Sequence, residues 1–247
     1  MLQVTYTQAQ IKQLRNQVRT AFLEKSKGVQ GNDVTKLSPK DVETLFWLYD
    51  ALFLSHWITQ HLKGKLSFSL STKMTKAAGK IIYPQKITLM KPEDVKLDIR
   101  IATDFFNEYE AVSREKLVNG LPTSDALEAL QMVLEHELCH LLELLQFGST
   151  SCAKPCFKQM ANSLFGHQSS KHALPTNGEI ASEQLGLNIG DVVEFAFEGK
   201  ACKGILHRIH KRAVVMVFDK KGRFVDNHKN HYTKFLVPLA LLRKEIL

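Results

Sequence analysis

Val133-Leu134-Glu135-His136-Glu137-Leu138-Cys139-His140-Leu141-Leu142 carries His-Glu-x-x-His inside an otherwise apolar run. On a helix, residues four apart stand about 40° apart around the axis and roughly 6 Å along it, so His136 and His140 can both reach one tetrahedral metal ion. Zinc is the expected ion. Glu137 lies beside that face, where a carboxylate can take a proton from activated water as a general base. On an exposed helix the same three residues would be ordinary surface groups. Their neighbours argue otherwise: Leu127, Leu130, Leu134, Leu138, Leu141 and Leu145 form one stripe, and Val133 and Leu144 extend it toward the His side. Buried imidazoles and a buried carboxylate need partners, and a metal with its water satisfies all three.

The chain around this motif has 247 residues, enough for one domain and a small second one. No stretch approaches the ~20 apolar residues of a membrane span and no secretory signal is evident, so a cytoplasmic protein without membrane contact is expected. Four cysteines, Cys139, Cys152, Cys156 and Cys202, make no disulfide framework in a chain this long, and their thiols stay free for metal. The net charge of +8 is uneven: from Gly186 onward twelve Lys or Arg face six Asp or Glu, an excess of +6. Such a surplus points weakly to nucleic acid, and equally to a well-hydrated surface.

Outward from the motif, Thr7 with Gln10 forms a capping box for a first helix ending near Lys25. Ser38-Pro39-Lys40-Asp41 starts a second, running toward Gly64. His56 and His61 in that helix are read as packing or surface residues. Leu66 to Leu70, Ala78 to Tyr83 and Ile87 to Met90 read as three short antiparallel strands. Lys91 to Leu121 reads as mostly helical, ended by Asn119-Gly120-Leu121-Pro122. Thr123-Ser124-Asp125 with Glu128 starts the His136 helix, and Pro155 opens another, stopped by Gly166. Pro175 to Glu183 reads as a linker. Beyond it, Asp191–Phe197, Gly204–Ile209, Ala213–Phe218 and Phe235–Pro238 are short strands, which suggests a small barrel.

Leu66 to Leu70, Ala78-Gly79, Ile87-Thr88-Leu89, His136 to Leu142 and the trailing Phe157-Lys158 helix, in that order, resemble the SprT-like family, which includes Spartan-type metalloproteases. The resemblance covers roughly Leu45 to His172. It implies an α+β, zincin-like (minigluzincin) fold with helices on a small antiparallel sheet, a Zn2+ cofactor, and proteolysis, directed in characterised relatives at proteins attached to DNA. The expected organisation is a helical extension over 1–37, the metalloprotease domain over 38–175, a linker over 176–188 and a basic all-β barrel over 189–247. That barrel resembles KOW/Tudor or Src-homology-3-like barrels, with Phe224, Tyr232 and Phe235 among its basic residues, a mixture suited to phosphate contact and base stacking or to an ordinary barrel with its aromatics inside.

One departure from the family concerns the third metal ligand, normally a His, where an ungapped match places Ala153. Cys152, one residue earlier, can bind zinc as a thiolate, which gives His136, His140 and Cys152 with water in the fourth position. His167, Cys156 and His172 stay open as rivals. The expected function is a zinc endopeptidase with Glu137 as general base, acting on protein substrates and brought to DNA, with nucleoid association, by its basic barrel. The alternatives are a protease whose barrel binds a protein, and a nucleic-acid-binding or scaffold protein with a structural zinc.

Overall fold

The computed structural model describes residues 4–245 and divides into two units, one ending at Leu174 and the other beginning at Pro175. In the first, α1 (Gln8–Lys25) begins at the expected Thr7–Gln10 capping box. It packs on α2 (Pro39–Leu54), which begins at a second box, Ser38 with Asp41. Val18, Phe22, Val29 and Val34 belong to the same core as the metal-motif helix, so the described segment before Ser38 contributes to this unit's core.

Helix α2 stops well short of Gly64. Ser55 and His56 take left-handed backbone conformations, and the buried Asp50 carboxylate accepts the Ile58 and Thr59 N–H groups, which starts a separate short helix, α3 (Trp57–His61). The sheet that follows is mixed, in the order β1-β3-β2. Strand β1 (Lys65–Ser71) runs parallel to β3 (Lys96–Ala102), and β2 (Gly79–Ile82) runs antiparallel to it on the other side.

Three expectations are corrected here. Ile87–Leu89 is a single 3₁₀ turn and not a strand, held by the Leu89 N–H on the Lys86 carbonyl and the Met90 N–H on the Ile87 carbonyl, with Leu89 exposed to solvent. The third strand comes from the segment expected to be mostly helical. Leu97, Ile99 and Ile101 alternate with Lys96, Asp98 and Arg100, and this strand, the most buried of the three, takes the centre. The sheet is therefore partly parallel. After a short α4 (Asp104–Asn107), the rest of that segment is a hairpin of β4 (Lys116–Val118) and β5 (Leu121–Thr123), with Asn119-Gly120 as its turn.

Helix α5 (Ala126–Phe147) starts on Asp125, whose side chain accepts the Glu128 N–H, and ends at Gly148 in the left-handed conformation. Its leucines fill the core: Leu127, Leu130, Leu134, Leu138, Leu141 and Leu142 have essentially no exposed surface. Helix α6 (Pro155–Phe165) packs against it and ends at Gly166.

The position of α5 is secured by a buried ion pair. The Arg15 guanidinium donates to both oxygens of Glu135, at 2.7 and 2.6 Å. Tyr49 Oη donates to the same carboxylate at 2.8 Å, and His167 Nε2 lies 2.9 Å from it. Burial alone would raise the Glu135 carboxyl, but the Arg15 charge and these hydrogen bonds hold it down at about 2.

In the second unit the expected linker is helical. Thr176 and Glu179 form a capping box for α7 (Asn177–Leu185), whose Ala181 packs into this unit's own core. The strands are β6 (Val192–Phe197), β7 (Lys200–Ile209), β8 (Arg212–Phe218), β9 (Phe224–Val225), β10 (His231–Pro238) and β11 (Arg243–Lys244). They form one antiparallel sheet in the order β11-β6-β7-β8-β10-β9, with no pairing between the outermost strands. The expected closed barrel is thus an open sheet, because the two strands that would have to close it are only two residues long. Phe235 packs against Phe195 and Phe197, while Phe224 is exposed beneath the Lys234 ammonium. Among the described residues no helix is long and apolar enough to cross a membrane.

Arg15→Ala leaves the Glu135 carboxylate buried against Tyr49 and His167 without its cation. Such a change typically costs about 3–5 kcal/mol, and urea unfolding of the purified variant should show a loss in that range. A loss below about 1 kcal/mol, the range of an exposed pair, would mean that the pair is not a structural anchor.

Candidate metal centre

Helix α5 turns His136 and His140 to the same side, where their Nε2 atoms lie 3.1 Å apart. Phe157 of α6, itself buried, packs against both imidazoles, with ring centroids 4.9 Å from His136 and 4.5 Å from His140. The loop after Gly148 brings in Cys152, and one ligand atom each from His136, His140 and Cys152 lie within 4.8 Å of one another. These three residues could hold a metal ion. Burial pushes His136 down to about 3, helped by the charges of His140, His167 and His172, and His140 down to about 4. Both rings are therefore neutral near pH 7 and keep a lone pair for coordination.

The orientation of His140 follows from a short relay. Thr150 Oγ donates to Glu143 Oε2 at 2.7 Å and lies 2.6 Å from His140 Nδ1. With its only proton committed to the carboxylate, the hydroxyl accepts from Nδ1–H, which leaves the Nε2 lone pair free on the cluster side. Glu143 also accepts the Ser151 N–H at 3.0 Å. His136 has no such brace, since its Nδ1 is buried without a partner.

Glu137 is buried beside the pair. One hydrogen bond reaches it from the Ile81 backbone, its Oε2 has none, and burial pushes its carboxyl up to about 8. Strand β2 is one of the two edges of its sheet, and it approaches Glu137 so closely at Gly79 that a Cβ there would lie 2.8 Å from Oε1. A cavity of about 340 Å³ opens at this point, lined by residues that include Gly79, Asn119, His136, Glu137 and His172. Ser170, Lys171 and His172 form part of its wall, held beside the β4–β5 hairpin by Asn119 N–H to the Lys171 carbonyl and Ala173 N–H to the Leu117 carbonyl.

The rivals for third ligand separate cleanly. His167 is engaged with Glu135 and is not part of the cluster, while Cys156 is exposed in the first turn of α6. His172 stands outside the metal-competent group but lines the cavity with His136 and Glu137. Its Nε2 is buried with no partner, and burial lowers its pKa, against the opposing effect of the Lys76 carbonyl. Ala153 is exposed.

Glu143, Thr150 and Gly79 escaped the reading of the sequence. The available signal was a further glutamate on an apolar helix, one turn beyond His140, with a hydroxyl in the loop that follows. Gly79 had no local signal, since its need for hydrogen comes from Glu137, far away in the chain. No family model matches the chain, and neither a curated protein nor a solved structure does.

Proposed function

We propose that the unit ending at Leu174 is a zinc-dependent endopeptidase of the SprT-like kind. One observation carries this reading: His136 of a metal-competent His136–His140–Cys152 cluster lines a cavity together with Glu137, a buried carboxylate that has an oxygen to spare. The donor set suits zinc, which takes imidazole nitrogen and thiolate together. Two nitrogens on one tetrahedral zinc lie roughly 3.3 Å apart, against 3.1 Å between the Nε2 atoms. Three protein ligands leave a fourth position open, the arrangement of catalytic sites, whereas a structural zinc would need a fourth side chain. Cys156, the nearest candidate in sequence, is outside the group.

When bound, zinc supplies Lewis acidity toward a water and a carbonyl oxygen. The chain supplies the rest. Glu137, ionised once a cation stands beside it, accepts a proton from the attacking water at Oε2 and returns it to the leaving amine. The edge of β2 at Gly79 and Ile81 lies against this base: the Ile81 N–H is donated to Glu137 itself, and the missing side chain of Gly79 leaves room for the carboxylate, so a peptide bond brought to that edge meets Glu137. The Thr150–Glu143 relay keeps the His140 lone pair pointed at the metal.

A nucleic-acid target for the other unit is a second reading, favoured by one feature. Lys234 Nζ stands 5.3 Å over the exposed Phe224 ring, next to a turn carrying Lys220, Lys221 and Arg223. This pairing of cation and open aromatic face suits a single strand.

Glu137→Gln should lower hydrolysis of a denatured protein substrate by about 10²–10⁴-fold while metal analysis still finds one zinc per chain. Unchanged hydrolysis would remove Glu137 from the mechanism, and a wild-type chain that takes up no zinc would end the peptidase reading. Thr150→Val should weaken zinc affinity by about 10–100-fold in competition with a chromophoric chelator. Cys152→Ser should weaken it at least as much, and unchanged affinity would rule out the thiolate as ligand. For the second reading, the full chain should bind single-stranded DNA with an affinity that falls steeply with salt, and K220E/K221E/R223E should flatten that slope. Salt-independent or undetectable binding by the wild-type chain rejects it.

A further inference from the structure

A second cavity of about 360 Å³ adjoins the one beside Glu137 and shares Ser170 and Lys171 with it. The shared residues form a ridge, so the surface next to the candidate metal site is a two-part groove. Its charges are one-sided. Lys76 and Lys171 line the first part and Lys158 and Lys171 the second, all three exposed. None is in an ion pair among the described residues. The only carboxylate in either wall is Glu137, which is buried against the imidazole pair. His172 adds a buried ring nitrogen without a partner in the same wall as Lys171.

Resting on the peptidase reading, we infer that this groove selects acidic polypeptide, with one carboxylate side chain beside the scissile bond held between Lys76 and Lys171 and a second beyond the Ser170–Lys171 ridge near Lys158. Concave walls of one sign concentrate ligands of the other, and lysines without partners give up no existing ion pair when a carboxylate arrives. Each part has ample room for a side chain. Among Phe, Tyr and Trp the walls contain only Phe157, which is buried, so they offer none of these large rings for a base to stack on. A polynucleotide therefore fits this groove worse than an acidic peptide does.

The test uses the full-length zinc-loaded Glu137→Gln chain, which binds without cutting, and fluorescent decapeptides that differ only in two central residues, Glu-Glu, Gln-Gln or Lys-Lys. The Glu-Glu peptide should bind about tenfold tighter than Gln-Gln, the effect of two or three part-shielded pairs. The gap should narrow as salt rises, and K76E/K171E should invert the order, with circular dichroism confirming that the fold is kept. Equal affinity for Glu-Glu and Gln-Gln overturns the inference. So does tighter binding of a single-stranded oligonucleotide that is lost in K76E/K171E but not in K220E/K221E/R223E. Wild-type cleavage of denatured protein without preference for acidic sites would overturn the inference and leave the peptidase standing. An absence of both zinc and cleavage would remove the peptidase reading itself.

Discussion

A carboxylate buried on a helix must find donors or give up its charge, and α5 buries three, Glu135, Glu137 and Glu143. Each meets a different environment. Glu135 has a guanidinium, a phenol and an imidazole, and is fully compensated. Glu143 has a hydroxyl and a backbone N–H. Glu137 has one backbone donor and an oxygen with none, and its affinity for a proton rises accordingly. The first arrangement fixes the helix in the core and the second fixes the loop after it. The third leaves a group whose ionisation depends on what occupies the cavity, which is the condition a proton-transferring residue must meet.

Much of this was legible in the chain because the signals were local. The capping boxes at Thr7 and Ser38, Pro155 at the head of α6 and the glycines after α5 and α6 act within one turn of themselves, and the helix ends they mark fall where expected, although the far end of α2 does not. The His136–His140 pair was legible for the same reason. What failed depended on distant partners. Val95 to Ala102 alternates like a strand, yet its central place in the sheet depends on β1 and β2 lying either side. The break at Ser55 needed Asp50 to be seen as a cap for a helix that had not yet been recognised. The number of strands in the second unit suggests a barrel, but closure depends on how the outermost strands meet, which strand patterning does not encode.

Among the candidate ligands, sequence distance was a poor guide and enclosure a better one. His167 looked available because it follows α6 at a helix stop, but a histidine beside a buried carboxylate is drawn to that charge, and Glu135 lies on the face of α5 away from the His136–His140 side. His172, five residues later, passes Phe105 and ends in the cavity instead. The turn at Asn119 separates the two fates. Its backbone accepts the Gln168 and Ser169 N–H groups and its own N–H donates to Lys171, so the chain leaves His167 inside and carries Ser170 to His172 along the groove.

The same economy joins His140 and Cys152 of the candidate cluster. Glu143 holds Thr150, and through it His140, and it also holds the N–H of Ser151, the residue just before Cys152. Gly148 makes the tight reversal possible: its backbone is left-handed, and a Cβ there would lie 2.5 Å from Thr88 Cγ2. A loop this short, closed at both ends, has few conformations left to lose when a metal binds. His140 and Cys152 are therefore positioned by one carboxylate and not by two independent supports, and substitutions at Glu143, Thr150 and Cys152 share a single energetic unit in which their effects do not add.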